Sequence, residues 1–171
     1  MIKVHDAPTN QDPFVPKGSP NELPSGEVFK ADPDTWYNLV VHYTDQYGKP
    51  ADGYLGPVGS NAATSFWDYM RVDGEASKFK LHPRADGWAD WEIDDGNYLS
   101  LKLTGWAYRA SDSDYRIGWQ IVDGKLYNAY WSSDWNNYPA GCEYNTFLVS
   151  TAYYVGVKLE NAFTCELVPA K

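Results

Sequence analysis

The chain has 171 residues, of which 16% are aromatic and 22% charged, with 8 Trp and 14 Tyr against 2 Met. A chain of this length forms one domain by default and buries roughly 70% of its unfolded surface, so a core needs no staple. The formal charge of -9 argues against a nucleic-acid partner, whose phosphates are gripped by Lys and Arg, and no apolar run reaches the roughly 20 residues that span a bilayer.

Taken in chain order, the first stretch is rich in proline, at Pro8, Pro13, Pro16, Pro20, Pro24 and Pro33. Proline fixes φ and removes an N–H donor, which predicts an extended arm over residues 1–34. Phe14, Val15, Val28 and Phe29 are its candidate anchors on a single domain spanning 35–171. The start also lacks the apolar stretch of a signal peptide.

From Trp36 onward, short runs of Tyr, Val, Leu, Ile and Trp alternate with turn dipeptides. Asp-Gly occurs at Asp52-Gly53, Asp73-Gly74, Asp86-Gly87, Asp95-Gly96 and Asp123-Gly124, each a hairpin signal because Gly reaches positive φ without steric cost. Strands are predicted over 37–43, 53–58, 66–72, 78–82, 89–93, 97–103, 106–110, 116–121, 125–131, 144–150, 153–159 and 163–168. No window keeps a helical period, so the class is all-β with about twelve strands. Trp91-Glu92-Ile93-Asp94-Asp95-Gly96 matches Trp119-Gln120-Ile121-Val122-Asp123-Gly124 at Trp, Ile, Asp and Gly. That similarity reads as one hairpin used twice or as the repeat of a β-trefoil-like fold. A β-sandwich of jelly-roll or lectin-like type fits the strand count as well.

Cys142 and Cys165 fall near the two ends of the last three predicted strands, a spacing that predicts a disulfide worth about 3 kcal/mol through loop closure. The bond implies an oxidising compartment and a secreted or extracellular protein; two buried thiols are the alternative. His5, His42 and His82 lie in separate segments, and no nucleophile, metal or phosphate-loop motif is present, so neither a metal nor another cofactor is expected.

Two segments carry candidate chemistry. Asp86, Asp90, Glu92, Asp94 and Asp95 crowd around Trp88 and Trp91. A carboxylate pair there could hydrolyse a glycoside, although strand alternation equally gives a solvated acidic face over an aromatic core. The richer segment, 127–139, sets Tyr127, Tyr130, Trp131, Trp135 and Tyr138 among Asp134, Asn136 and Asn137. Flat rings stack on the C–H faces of sugars while Asn and Asp bind the hydroxyls, so these residues, with Trp88 and Asp90, form the expected ligand site.

The expected function is therefore a non-catalytic, lectin-like protein that binds a neutral glycan or glycoconjugate. The run from Tyr130 to Tyr138 also resembles the aromatic lipid-binding cluster of actinoporin-type β-sandwich cytolysins. That resemblance implies docking on a zwitterionic membrane surface, although the amphipathic N-terminal helix of that family has no counterpart in the proline-rich region. A small glycoside-active enzyme is the third reading. The aromatic surface could equally serve a subunit interface, so the oligomeric state stays open.

Overall fold

A computed structural model describes residues 20–59, 68–102, 104–110, 118–130, 138–147, 150–157 and 161–170. Among them run β1 (Tyr37–Thr44), β2 (Pro50–Tyr54), β3 (Gly56–Pro57), β4 (Met70–Arg71), β5 (Phe79–Pro83), β6 (Ala89–Ile93) and β7 (Tyr98–Leu101). There follow β8 (Ala107–Ala110), β9 (Gly118–Val122), β10 (Lys125–Asn128), β11 (Ala140–Phe147), β12 (Ser150–Val157) and β13 (Thr164–Pro169). The domain is all-β: a nine-stranded sheet ordered β10-β9-β6-β5-β1-β13, with β2 on β1 and the β7–β8 hairpin on β6, packs against a four-stranded sheet ordered β11-β12-β4-β3. Pairs of named strands are antiparallel throughout.

Strand alternation builds the core. In β1, Tyr37, Leu39 and Val41 point inward while Asn38, Val40 and His42 point out, and in β6 Ala89, Trp91 and Ile93 are buried while Asp90 and Glu92 are not. The inner face of the large sheet, including Phe79, Leu81, Trp91, Trp119 and Leu167, meets Met70, Cys142, Val155 and Val157 from the small one. Each such large apolar side chain contributes about 1.5–3 kcal/mol. A second cluster of Tyr69, Trp106, Tyr108, Ala152 and Tyr154 seals the junction where β8 meets β12, tied by the Val157 N–H to Gly105 carbonyl bond of 3.0 Å.

The hairpins use two turn chemistries. At 122–125 the loop is the two-residue turn expected of Asp-Gly, with Asp123 at φ 50 and Gly124 at φ 75. At 84–88 and 93–97 it is a three-residue loop in which Gly87 (φ 90) and Gly96 (φ 88) close a bulge, while Asp86 and Asp95 accept the N–H two residues on. The Trp-x-Ile likeness is thus a local one. Val122 pairs with Lys125 across its turn, whereas Asp94 already belongs to the loop.

Two Asp-Gly pairs are not hairpin turns. Asp52 and Gly53 pair inside β2 with His42 and Val41. Gly53 is there because a Cβ would sit 1.7 Å from the Val72 carbonyl oxygen. Asp73-Gly74 leaves β4, and its carboxylate accepts the Tyr153 N–H at 3.2 Å. The β1–β2 turn lies instead at 45–49, where Asp45 caps the N–H groups of Tyr47 and Lys49 at 2.9 Å each.

The expected disulfide is absent: Cys142 and Cys165 are both buried free thiols. Cys142 pairs with Val155 in the small sheet and Cys165 with Val41 in the large one, so each acts as a small apolar residue of the core. The argument for an oxidising compartment falls with the bond. No helix among the described residues is long and apolar enough to cross a membrane.

Candidate functional site

Of the residues expected to bind a ligand, Trp131, Asp134, Trp135, Asn136 and Asn137 lie outside the described residues. Trp88, Tyr127 and Tyr130, distant in sequence, come together in one cluster with Ala129 and Leu23. This cluster is closed. Trp88 is 1% exposed and donates its indole N–H to the Asn21 carbonyl at 2.8 Å, and Tyr130 is 7% exposed.

Arg84, which the sequence does not single out, organises the polar side of this cluster. Its guanidinium donates to Asp86 at 2.7 Å, to Asp90 at 3.3 Å and to the Tyr130 hydroxyl, and lies 5.0 Å from the Tyr130 ring centroid. Asp90 is thereby committed to an ion pair. Tyr138 is the expected binder whose ring is exposed, at the entry to β11.

An open ring and carboxylates meet elsewhere, in a groove of about 470 Å³ lined by Val40, Tyr43, Asp52, Tyr54, Val72 and Asp73 with Gly53 and Gly74. Three separated pieces of chain build it. The β1–β2 register sets Tyr54 opposite Val40 and Asp52 opposite His42 on the outer face, and a parallel bridge from Tyr54 to Asp73 brings in the end of β4. Gly53 permits the approach, since its missing side chain leaves room for the Val72 carbonyl.

The groove presents one open ring beside two fixed acids. Tyr54 is 44% exposed, whereas Tyr43 is half-buried and held by Tyr153 at a centroid distance of 4.9 Å. Burial, and after it the charge of Asp73, pushes the Tyr43 hydroxyl up to about 12, so it stays protonated and can donate. Asp73 accepts from Arg71 Nε at 2.8 Å through Oδ1. Asp52 accepts from His42 Nδ1 at 2.6 Å, and His42 Nε2 reaches Glu166 at 3.3 Å. With a carboxylate at both ring nitrogens the imidazolium is favoured, and the His42 pKa is raised, mainly by the Asp52 bond and then by that of Glu166.

A second cleft, of about 300 Å³, opens between the sheets beside Arg71, Glu75, Asp94, Asp95 and Arg109. Arg109 is committed to Asp68, Asp95 and the Gly59 carbonyl. Among the described residues no group of His, Cys, Asp and Glu is placed to hold a metal ion. Compared with known protein families, curated proteins and solved structures, the chain matches none.

Proposed function

We propose that the protein binds neutral glycans without catalysis, through the groove formed by Tyr43, Asp52, Tyr54 and Asp73. The carrying observation is the 44% exposed Tyr54 ring set beside two carboxylates hydrogen-bonded to His42 and Arg71. An open ring takes the C–H face of a sugar, and orientated carboxylates accept from vicinal hydroxyls. Holding Asp52 and Asp73 with His42 and Arg71 removes the ordering cost that a free acid would meet on binding. The net charge of -9 turns away sulfated or phosphorylated glycans by long-range repulsion.

A glycan array on the full chain tests this, with Tyr54→Ala and Asp73→Asn as groove variants and Trp131→Ala and Trp135→Ala as controls. The expected result is binding to neutral glycans that weakens about tenfold with Tyr54→Ala, in line with about 1.4 kcal/mol of lost stacking. A silent array sinks the proposal, and loss confined to the Trp variants moves the site to 131–137. A second reading, docking on zwitterionic membranes, draws on the exposure of Tyr47 (77%) and Tyr54 on one hairpin. Flotation with phosphatidylcholine vesicles separates the two: protein left wholly in the aqueous fraction excludes the membrane reading.

A further inference from the structure

Residues 20–29 lie along the domain as an irregular segment with one isolated β-bridge, at Val28. Asn21 donates its N–H to the Ala129 carbonyl at 2.7 Å and accepts from the Trp88 indole at 2.8 Å. Leu23 covers the Trp88–Tyr130 cluster. Further on, Glu27 exchanges bonds with Asp123: its N–H donates to the carboxylate and its carbonyl accepts the Asp123 N–H, both at 2.8 Å. Val28 then bridges Val122, and the Phe29 N–H donates to the Ile121 carbonyl at 2.9 Å, so the arm meets the end of β9 beyond its pairing with β6. Gly26, at φ +145, lets it pass Asp123, whose carboxylate would lie 2.2 Å from a Cβ.

The link from this segment to β1 is short and exposed. Lys30, Asp32, Pro33 and Asp34 face solvent, and the turn they form rests on the Thr35 N–H to Asp32 carbonyl bond of 3.2 Å and on the Asp32 N–H to Tyr37 hydroxyl bond of 2.9 Å. Pro20 and Pro24 keep the arm extended and limit its internal hydrogen bonds, so a released arm stays ready to pair. Release exposes Trp88 and the backbone of Ile121–Asp123 beyond the pairing of β9 with β6, and unpaired backbone groups there accept another extended segment. None of the arm-to-domain bonds depends on which copy supplies the arm.

We infer that two copies of this chain pair by exchanging residues 20–29, each arm docking on the end of β9 and the Trp88 recess of the other. The partner is a second copy because the complementary segment is already seated on that surface, and the exchange opens the 30–35 turn and lifts Ala31 and Phe29 from the core of one copy to place them on the other.

The test uses the full chain with two different affinity tags, mixed at rising concentration, captured on one tag and sized by native mass spectrometry. Wild type is expected to give mixed dimers that Gly26→Val abolishes, since the new Cβ enters Asp123 in either arrangement. Leu23→Asp replaces it where Gly26→Val fails to fold. Deleting Asp32, Pro33 and Asp34, which shortens the return path, is expected to make the dimer predominate. Wild type that never yields a mixed dimer overturns the inference, even where the shortened hinge dimerises. Dimers insensitive to Gly26→Val and Leu23→Asp overturn it as well, because they assemble through another surface.

Discussion

His42 stands between two acids, and its pKa is raised above 6.5 chiefly by the Asp52 hydrogen bond and then by that to Glu166. A raised folded-state value means that the folded protein binds this proton more tightly than the unfolded chain does. The stabilisation is therefore complete below 6.5 and lost as pH rises through the raised value. The thermal midpoint of wild type should exceed that of His42→Gln by more at about pH 6 than at about pH 9. Equal differences at the two would show that the acid pair does not hold the imidazolium. The cysteines give a second test at this scale. Burial pushes both thiols up to about 12, with the charges of Asp73 acting further on Cys142 and of Glu166 on Cys165. The native protein should resist thiol reagents at neutral pH, label at Cys142 and Cys165 once denatured, and melt at the same temperature with or without reductant. An intact mass short of two hydrogens would contradict the free thiols.

The β1–β2 hairpin shows how much an element owes to its neighbours. Gly48, at φ 77 in the 45–49 turn, has nothing within 4 Å of where a Cβ would stand, whereas a Cβ on Gly53 would lie 1.7 Å from the Val72 carbonyl oxygen. Gly48→Ala should cost about 1 kcal/mol from backbone strain alone. Gly53→Ala should cost about 3 kcal/mol or more, because backbone rather than a flexible side chain must move. Urea melts measure both, and equal losses would mean that the β2 edge yields freely. The same contrast explains what the sequence made legible. Period-two alternation locates β1, β5 and β6, and Asp-Gly locates the turns after β5, β6 and β9, since both signals are local. Asp52-Gly53 looks identical to those turns, yet its glycine answers to Val72, a contact that no window of sequence contains. The groove was hidden for the same reason. Tyr43, Asp52, Tyr54 and Asp73 meet only through strand register and the bridge to the end of β4, while Trp88, conspicuous beside its acids, is taken up by the arm.

At the scale of the whole molecule the sheets are joined by apolar packing and by a buried charge. Arg109, on β8 of the large sheet, has 5% of its side chain exposed. It donates to Asp68 at 2.7 Å, to Asp95 in the β6–β7 turn at 2.9 Å, and to the carbonyl of Gly59, just beyond β3 of the small sheet, at 3.2 Å. Asp68 is 16% exposed and Asp95 36%, so the partners differ in how much water can replace the guanidinium. Arg109→Ala leaves Asp68 charged and poorly solvated and should cost about 3–5 kcal/mol. Asp95→Asn keeps the Asp68 pair and faces solvent, so its cost should stay within about 1 kcal/mol. Arg109→Lys tests the geometry, since one ammonium cannot span Asp68, Asp95 and Gly59 as the planar fork does, and should fall between the two. Urea unfolding at constant m distinguishes a loss of stability from a change in the denatured state. Equal losses for Asp95→Asn and Arg109→Ala would place the linkage in the β6–β7 turn alone. The ranked series would place it between the sheets, where Arg109 ties the end of β3 to the strand that bears it.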